Sequence, residues 1–230
     1  MRIGLIVAME KELAQLHTLL SHERKERHHG MDFIIGEMGG HEVILRQCGI
    51  GKVNSAVGAV ELIDNYQPDL LISTGVAGGA DTTLNPLDVV VGTACTYHDA
   101  YCGEEVEPGQ IMGLPARFKA PQPLVDKAMS LQSHFNGISI RSGLTVSGEW
   151  FVDTKEKMSD ILNRFPEAMA VDMESCSIAQ TCYLYKVPFL SFRIISDVPL
   201  KDHKASQYFD FWERMAEGSF EVTRAFLQTL

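Results

Sequence analysis

The sequence predicts an α/β fold: a central twisted mixed β-sheet, largely parallel, flanked by helices in three α/β/α layers. Three observations predict it. Apolar runs rich in Val and Ile recur without alternating with polar residues, the pattern of strands buried on both faces. Segments with apolar residues at three- and four-residue spacings, the helical period, follow these runs. Glycine-rich stretches lie at or near the ends of the runs, where strand-to-helix turns are needed. A helix-covered sheet is the layer arrangement that buries such strands.

Taken in order, IGLIVAM at 3–9 is the first strand and 10–22 the first helix. VILRQC precedes a helix over 52–65, and DLLISTGVAG and DVVVGTACTY are the next two strands. From Tyr101 to Pro121 the chain has Gly, Pro and Glu but no period, so it reads as a long loop, a feature commonly functional in compact domains. A helix over 122–134 follows, then the strand SIRSGLTVSG, a helix over 154–164, the strand-to-helix junction AVDMES with its helix over 173–186, and the strand FLSFRIISDV. The last helix is expected over 207–228 with Ser206 as its cap. With 230 residues, 45% hydrophobic and 22% charged, and no repeat or linker, residues 1–230 are expected to form one domain.

Thirty acidic against twenty basic residues give a formal charge of −10, a field that repels nucleic acid and anionic lipid and favours a neutral or cationic small ligand. The apolar run before Glu10 is too short for a signal segment or a membrane span. Five cysteines, an odd number at irregular spacing without a CxxC or Cys/His pattern, read as reduced thiols, so a cytoplasmic location is expected. Neither a metal nor a cofactor is expected. His28 and His29 read as an exposed turn, and Cys176 and Cys182 as core thiols.

Candidate chemistry sits at the strand ends. Gly49-Ile50-Gly51-Lys52, Thr74-Gly75-Val76-Ala77-Gly78-Gly79 and Ser147-Gly148 would let backbone approach a ligand beyond the carboxyl ends of the strands. GIGKVNSA lacks the GxxxxGK[ST] spacing of a Walker A loop and matches GxGxxG only in part, which disfavours a triphosphate or dinucleotide site. Glu12 falls where the first helix begins, Asp172 and Glu174 at the junction AVDMES, and Asp197 at the end of a very apolar run. A carboxylate ending a buried strand is open to desolvation, which raises its pKa and makes it a candidate proton donor. Read singly, each is a helix-start charge or a structural ion pair; at one edge of a sheet they form a constellation.

Several motifs together carry a resemblance: IGLIVAMEKEL at 3–13, CGIGKVNSA at 48–56, STGVAGG at 73–79, YHDA at 97–100, GLTVSGEWF at 143–151, AVDMES at 170–175 and FRIISDV at 192–198. From Met1 to about Asp210 the chain resembles the 5′-methylthioadenosine/S-adenosylhomocysteine nucleosidases of the nucleoside phosphorylase/hydrolase superfamily. The resemblance implies hydrolysis of the N-glycosidic bond of these nucleosides, with 5′-deoxyadenosine as a further candidate substrate, in methionine salvage and methyl-cycle recycling. It implies Glu12 as the water-activating base, Asp197 as the acid that protonates adenine N7, and Glu174 as the carboxylate on the ribose hydroxyls. Met173 would lie under the ribose, Phe151 stack on the purine, and Val152 offer backbone groups to its Watson–Crick edge. Met9 and Ile50 would line the 5′ end, Ala77, Gly78 and Asp172 would complete the substrate contacts, and Arg193 and Ser196 would orient the acids. Tyr208 or Phe209 would close over the ribose, while Phe211 and Trp212 read as packing.

The chain departs from the family pattern in three places. Asp172 stands where relatives often have Glu, and Val76 where they often have Ser. Asp is one methylene shorter and the Val76 side chain cannot hydrogen-bond, so both changes bear on ligand affinity while leaving acid and base intact. The 101–115 loop is less aromatic than in relatives, where it reaches the neighbouring subunit of a homodimer; this bears on 5′ specificity. Competing readings are a phosphate-dependent phosphorylase on the same fold, a futalosine-type nucleoside hydrolase, and a non-catalytic nucleoside-binding protein. A phosphorylase wants arginines converging near glycine-rich turns, whereas the first turn here presents Glu12, which repels phosphate. A binding protein would be expected to have lost the acid or the base.

Overall fold

A computed structural model describes residues 1–201, 211 and 220–230. The strands are β1 (Arg2–Val7), β2 (Ser21–His28), β3 (Met31–Met38), β4 (His41–Gln47), β5 (Leu70–Gly79), β6 (Val89–Tyr97), β7 (Phe118–Lys119), β8 (Ile140–Ser147), β9 (Ala168–Asp172) and β10 (Phe189–Asp197). The described helices are α1 (Glu10–His17), α2 (Lys52–Tyr66), α3 (Gln122–Ser130), α4 (Lys155–Arg164), α5 (Ser175–Tyr185) and α6 (Glu221–Leu227), with a 3-10 turn at Leu131–His134.

The ten strands form one mixed sheet in the order β10-β6-β8-β9-β5-β1-β4-β3-β2, with β7 on β6. The apolar strands pair in parallel, β1 with β4 and β5, β10 with β5, and β8 with β6 and β9. β10 pairs with β6 as well as β5, so one half of the sheet curls into a closed ring of β5, β10, β6, β8 and β9. The curl brings the carboxyl ends of β5, β8, β9 and β10 around one opening. Apolar side chains fill both faces. Leu5, Val7, Val43 and Leu45 pack in a core with Phe226 and Leu227 of α6, while Ile6, Ile44 and Phe33 pack with Leu62 of α2 and Cys176, Ile178 and Cys182 of α5.

Several boundaries differ from the sequence expectation. The first helix ends at His17 and not at 22, because Ser21–His28 pairs antiparallel with β3. β2 reads SHERKERH and is almost wholly exposed, an edge strand whose charges discourage further pairing and carry no apolar signal. β3 and the short β7 were also outside the expected strands. The helix expected over 173–186 begins at Ser175, with Met173 and Glu174 in the turn before it, and the 122–134 helix tightens to 3-10 geometry after Ser130. His29 lies in the β2–β3 turn, while His28 ends β2 and packs edge-on against Phe33 and Tyr66. Most of 101–117 is irregular. Of the last helix expected over 207–228, Glu221–Leu227 is helical and Phe211 is buried in the core; Ser206, Tyr208, Phe209 and Trp212 lie outside the described residues.

Candidate active site

Glu12 is the third residue of α1, and its carboxylate reaches back over the turn from β1. Oε2 accepts the backbone N–H groups of Ala8 at 3.0 Å and Met9 at 2.9 Å, and Oε1 accepts that of Val76 at 2.8 Å. Glycine is needed beside it: Gly75 has φ +134°, and a Cβ there would sit 2.5 Å from Glu12 Oε1. Burial drives the Glu12 pKa upward and outweighs the opposing N–H bonds and the field of Arg193.

Arg193, in the middle of β10, is a fully buried cation. Its Nε lies 2.8 Å from Asp172 Oδ2 and 3.0 Å from Ser175 Oγ, while Nη2 donates to Ser73 Oγ at 2.7 Å and Nη1 to the Thr74 carbonyl at 3.2 Å. Asp172, at the end of β9, is engaged by protein on both oxygens. Oδ1 accepts Ser147 Oγ at 2.5 Å and the N–H groups of Glu174 and Ser175 at 3.3 and 3.2 Å, and Oδ2 accepts the Ser175 hydroxyl. Asp172 thereby pins the turn that aims Met173 and Glu174 at the opening. Glu174 accepts the Gly51 N–H at 2.9 Å, and burial together with the Asp172 charge pushes its pKa up to about 7. Asp197 closes β10, and Ser196 Oγ donates to its Oδ1 at 2.6 Å.

Glu12, Asp172, Glu174, Ser196 and Asp197 border one cleft. Met9, Ile50, Ala77, Gly78 of β5, Phe151, Val152 and Met173 line it together with the polar side chains of Glu12, Asp172, Glu174, Ser196 and Asp197. Arg193 lies behind this lining and reaches the opening through Asp172. Ala8, Val171 and Trp150 also line the cleft, although sequence reasoning assigned them no role. Trp150 had a signal in its place beside Phe151; the other two are small apolar strand-end residues indistinguishable in sequence from core. Three carboxylates around one arginine make the opening acidic, a setting that attracts positive charge developing on a ligand.

The family model of the phosphorylase superfamily matches residues 2–228. A 5′-methylthioadenosine/S-adenosylhomocysteine nucleosidase of Maridesulfovibrio salexigens is 38% identical over all of both chains, and the Bacillus subtilis one is 37% identical over 96% of each. The solved Colwellia psychrerythraea nucleosidase, in complex with adenine, superposes with TM-score 0.93 at 33% identity, covering 100% of this chain and 96% of that one. The Neisseria meningitidis enzyme, in complex with methylthio-immucillin-A, superposes with TM-score 0.92 at 32% identity, covering 100% and 99%. A cleft with Glu12, Glu174 and Asp197 around it, on a chain matched end to end by these proteins, places the chain in the phosphorylase superfamily, within its 5′-methylthioadenosine/S-adenosylhomocysteine nucleosidase family.

Proposed function

We infer that this chain hydrolyses the N-glycosidic bond of 5′-methylthioadenosine and S-adenosylhomocysteine, releasing adenine and the 5-thio-substituted ribose. The observation that carries the reading is that Glu12 and Asp197, from opposite ends of the chain, line the same cleft with Glu174. Adenine leaving as an anion is a poor leaving group, whereas adenine protonated at N7 departs neutral. Asp197 is the acid for that proton, steadied by Ser196. As the C–N bond lengthens, positive charge builds on the ribose, and Glu174 stabilises it from the hydroxyl side. Glu12 takes a proton from the water that attacks the opposite face, the arrangement of an inverting glycosidase. If acid and base each contribute about 10²–10⁴ in rate, the pair supplies roughly 5–11 kcal/mol. Phosphorolysis is disfavoured, since Glu12 occupies the turn that would have to receive an anion.

The purine rests on Phe151 with its Watson–Crick edge toward the Val152 backbone, and the 5′ substituent points to Met9 and Ile50. The chain works as a homodimer in the cytoplasm, in methionine salvage. Exposed Ile50, Val53 and Val57, beside the cleft and along α2, support a subunit contact there, and the five free cysteines support a reducing compartment. The test is to incubate the protein with methylthioadenosine, S-adenosylhomocysteine, adenosine and inosine, with and without phosphate, and to follow base release. Adenine release independent of phosphate is expected. A rate proportional to phosphate, with a sugar 1-phosphate as product, would overturn the reading.

A further inference from the structure

Two segments that line the cleft are tied together outside it. The turn Gly49–Gly51 supplies Ile50 to the lining and the Gly51 N–H to Glu174. The segment Gly148–Val152 supplies Trp150, Phe151 and Val152. Asp99, two residues past the end of β6, meets both. Its Oδ1 and Oδ2 lie 2.7 and 2.8 Å from the Lys52 ammonium, and Oδ2 also accepts the Glu149 N–H at 2.8 Å. The Glu149 carboxylate returns the connection by accepting the Lys52 N–H at 2.9 Å, at the start of α2. The pair is largely shielded from water, with Lys52 28% and Asp99 12% exposed, so these charge-assisted bonds hold their geometry better than a surface pair would.

The neighbouring residue holds the same segment from beneath. His98 is wholly buried, neither ring nitrogen has a hydrogen-bond partner among the described residues, and its ring packs edge-on against Trp150 at 5.1 Å. Its ring also lies so close under Gly148 that no Cβ fits there. The imidazole acts here by shape, as the floor on which the segment sits.

We propose that Asp99 is a positioning residue that, through Lys52 and Glu149, holds the purine-side segment Gly148–Val152 in register with the Gly49–Gly51 turn that anchors Glu174. This rests on the nucleosidase reading and adds to it a residue that touches neither substrate nor the reacting atoms. Removing the Asp99 charge frees the Lys52 ammonium and loosens the loop that holds the base, so base affinity falls first and the chemical groups stay in place.

The test compares wild type, Asp99→Asn, Lys52→Met, Lys52→Arg, Phe151→Ala and the double variant Asp99→Asn/Phe151→Ala. Steady-state hydrolysis of methylthioadenosine and calorimetric titration with adenine are the two readouts. Asp99→Asn and Lys52→Met are expected to raise KM and the adenine Kd about tenfold with kcat changed less than about threefold, and Lys52→Arg to restore most of the loss. In the Phe151→Ala background the Asp99 effect should largely vanish, since the contact it positions is gone. Effects that simply add, or a fall in kcat with KM unchanged, would overturn the proposal. A wild type that binds adenine but leaves methylthioadenosine intact would instead sink the nucleosidase reading.

Discussion

Val76 donates its backbone N–H to Glu12 Oε1 at 2.8 Å, joining the end of β5 to the first turn of α1 through one carboxylate. With Ala8 and Met9 on the other oxygen, three N–H donors fix the orientation of Glu12, and burial keeps its pKa above the usual carboxylate value. A side chain at 76 that cannot hydrogen-bond leaves this arrangement intact, because the backbone does the work.

Glu12→Gln should therefore act twice. The amide cannot take the water proton, so turnover of methylthioadenosine should fall by about 10²–10⁴. Its NH2 group must also face one of the three N–H donors, which should lower stability by about 1–3 kcal/mol in denaturant unfolding. Adenine binding should survive; its loss together with activity would give Glu12 a structural role instead.

For Gly75→Ala, both the positive φ and the approach to Glu12 Oε1 stand in the way of a methyl group. We expect a stability loss of about 1–3 kcal/mol and displacement of Glu12, seen as a fall in kcat larger than the rise in KM. Full activity in a folded variant would show that Glu12 tolerates movement and is not held as described.

Glu174 gives a pH dependence with a definite sign. Its folded pKa of about 7 lies above the ordinary 4.5, so the folded chain binds this proton more tightly than the unfolded chain. The resulting stabilisation is fully present below about 4.5 and is lost as pH rises through about 7. Glu174→Gln keeps a carbonyl for the Gly51 N–H and removes the charge. Relative to wild type, its stability should improve by on the order of 3 kcal/mol between pH 4 and pH 8, while turnover falls. Unfolding curves that stay parallel across that range would contradict the assignment.

Asp197→Asn separates leaving-group protonation from binding. Methylthioadenosine turnover should fall by about 10²–10⁴, while a 5′-methylthioriboside of p-nitrophenol, whose leaving group needs no proton, should lose far less. Equal losses on the two substrates would mean that Asp197 acts on the ribose or on folding.

The buried strands were legible because strands covered on both faces must be apolar throughout, and IGLIVAM or FLSFRIISDV can hardly be anything else. Asp172 and Asp197 were legible as candidates because each closes an apolar strand, and Glu12 and Glu174 because each stands beside a strand-to-helix turn. β2 was not: the positions of SHERKERH that face inward, Glu26 and His28, are polar, and it is a strand because β3 offers it an edge. That pairing also ends α1 early, since Ser21 is taken into the sheet. The Asp99–Lys52–Glu149 cluster was hidden in another way: its members fall in three separate motifs, YHDA, CGIGKVNSA and GLTVSGEWF, and nothing in those motifs says that the three side chains meet.

By itself, then, the sequence determined the helix-covered sheet and the strand-end glycines and singled out Glu12, Glu174 and Asp197 as candidates, because local patterns of apolarity and charge persist in any fold the chain can adopt. The tertiary structure alone decided that β10 bonds to both β5 and β6 and so curls the sheet, and that Arg193 sits wholly buried against Asp172. It also decided that Glu12 is gripped by a backbone N–H from a distant strand. These depend on pairings between residues far apart in the chain, and such pairings are set by the joint free energy of the whole sheet and its covering helices, which no single segment encodes.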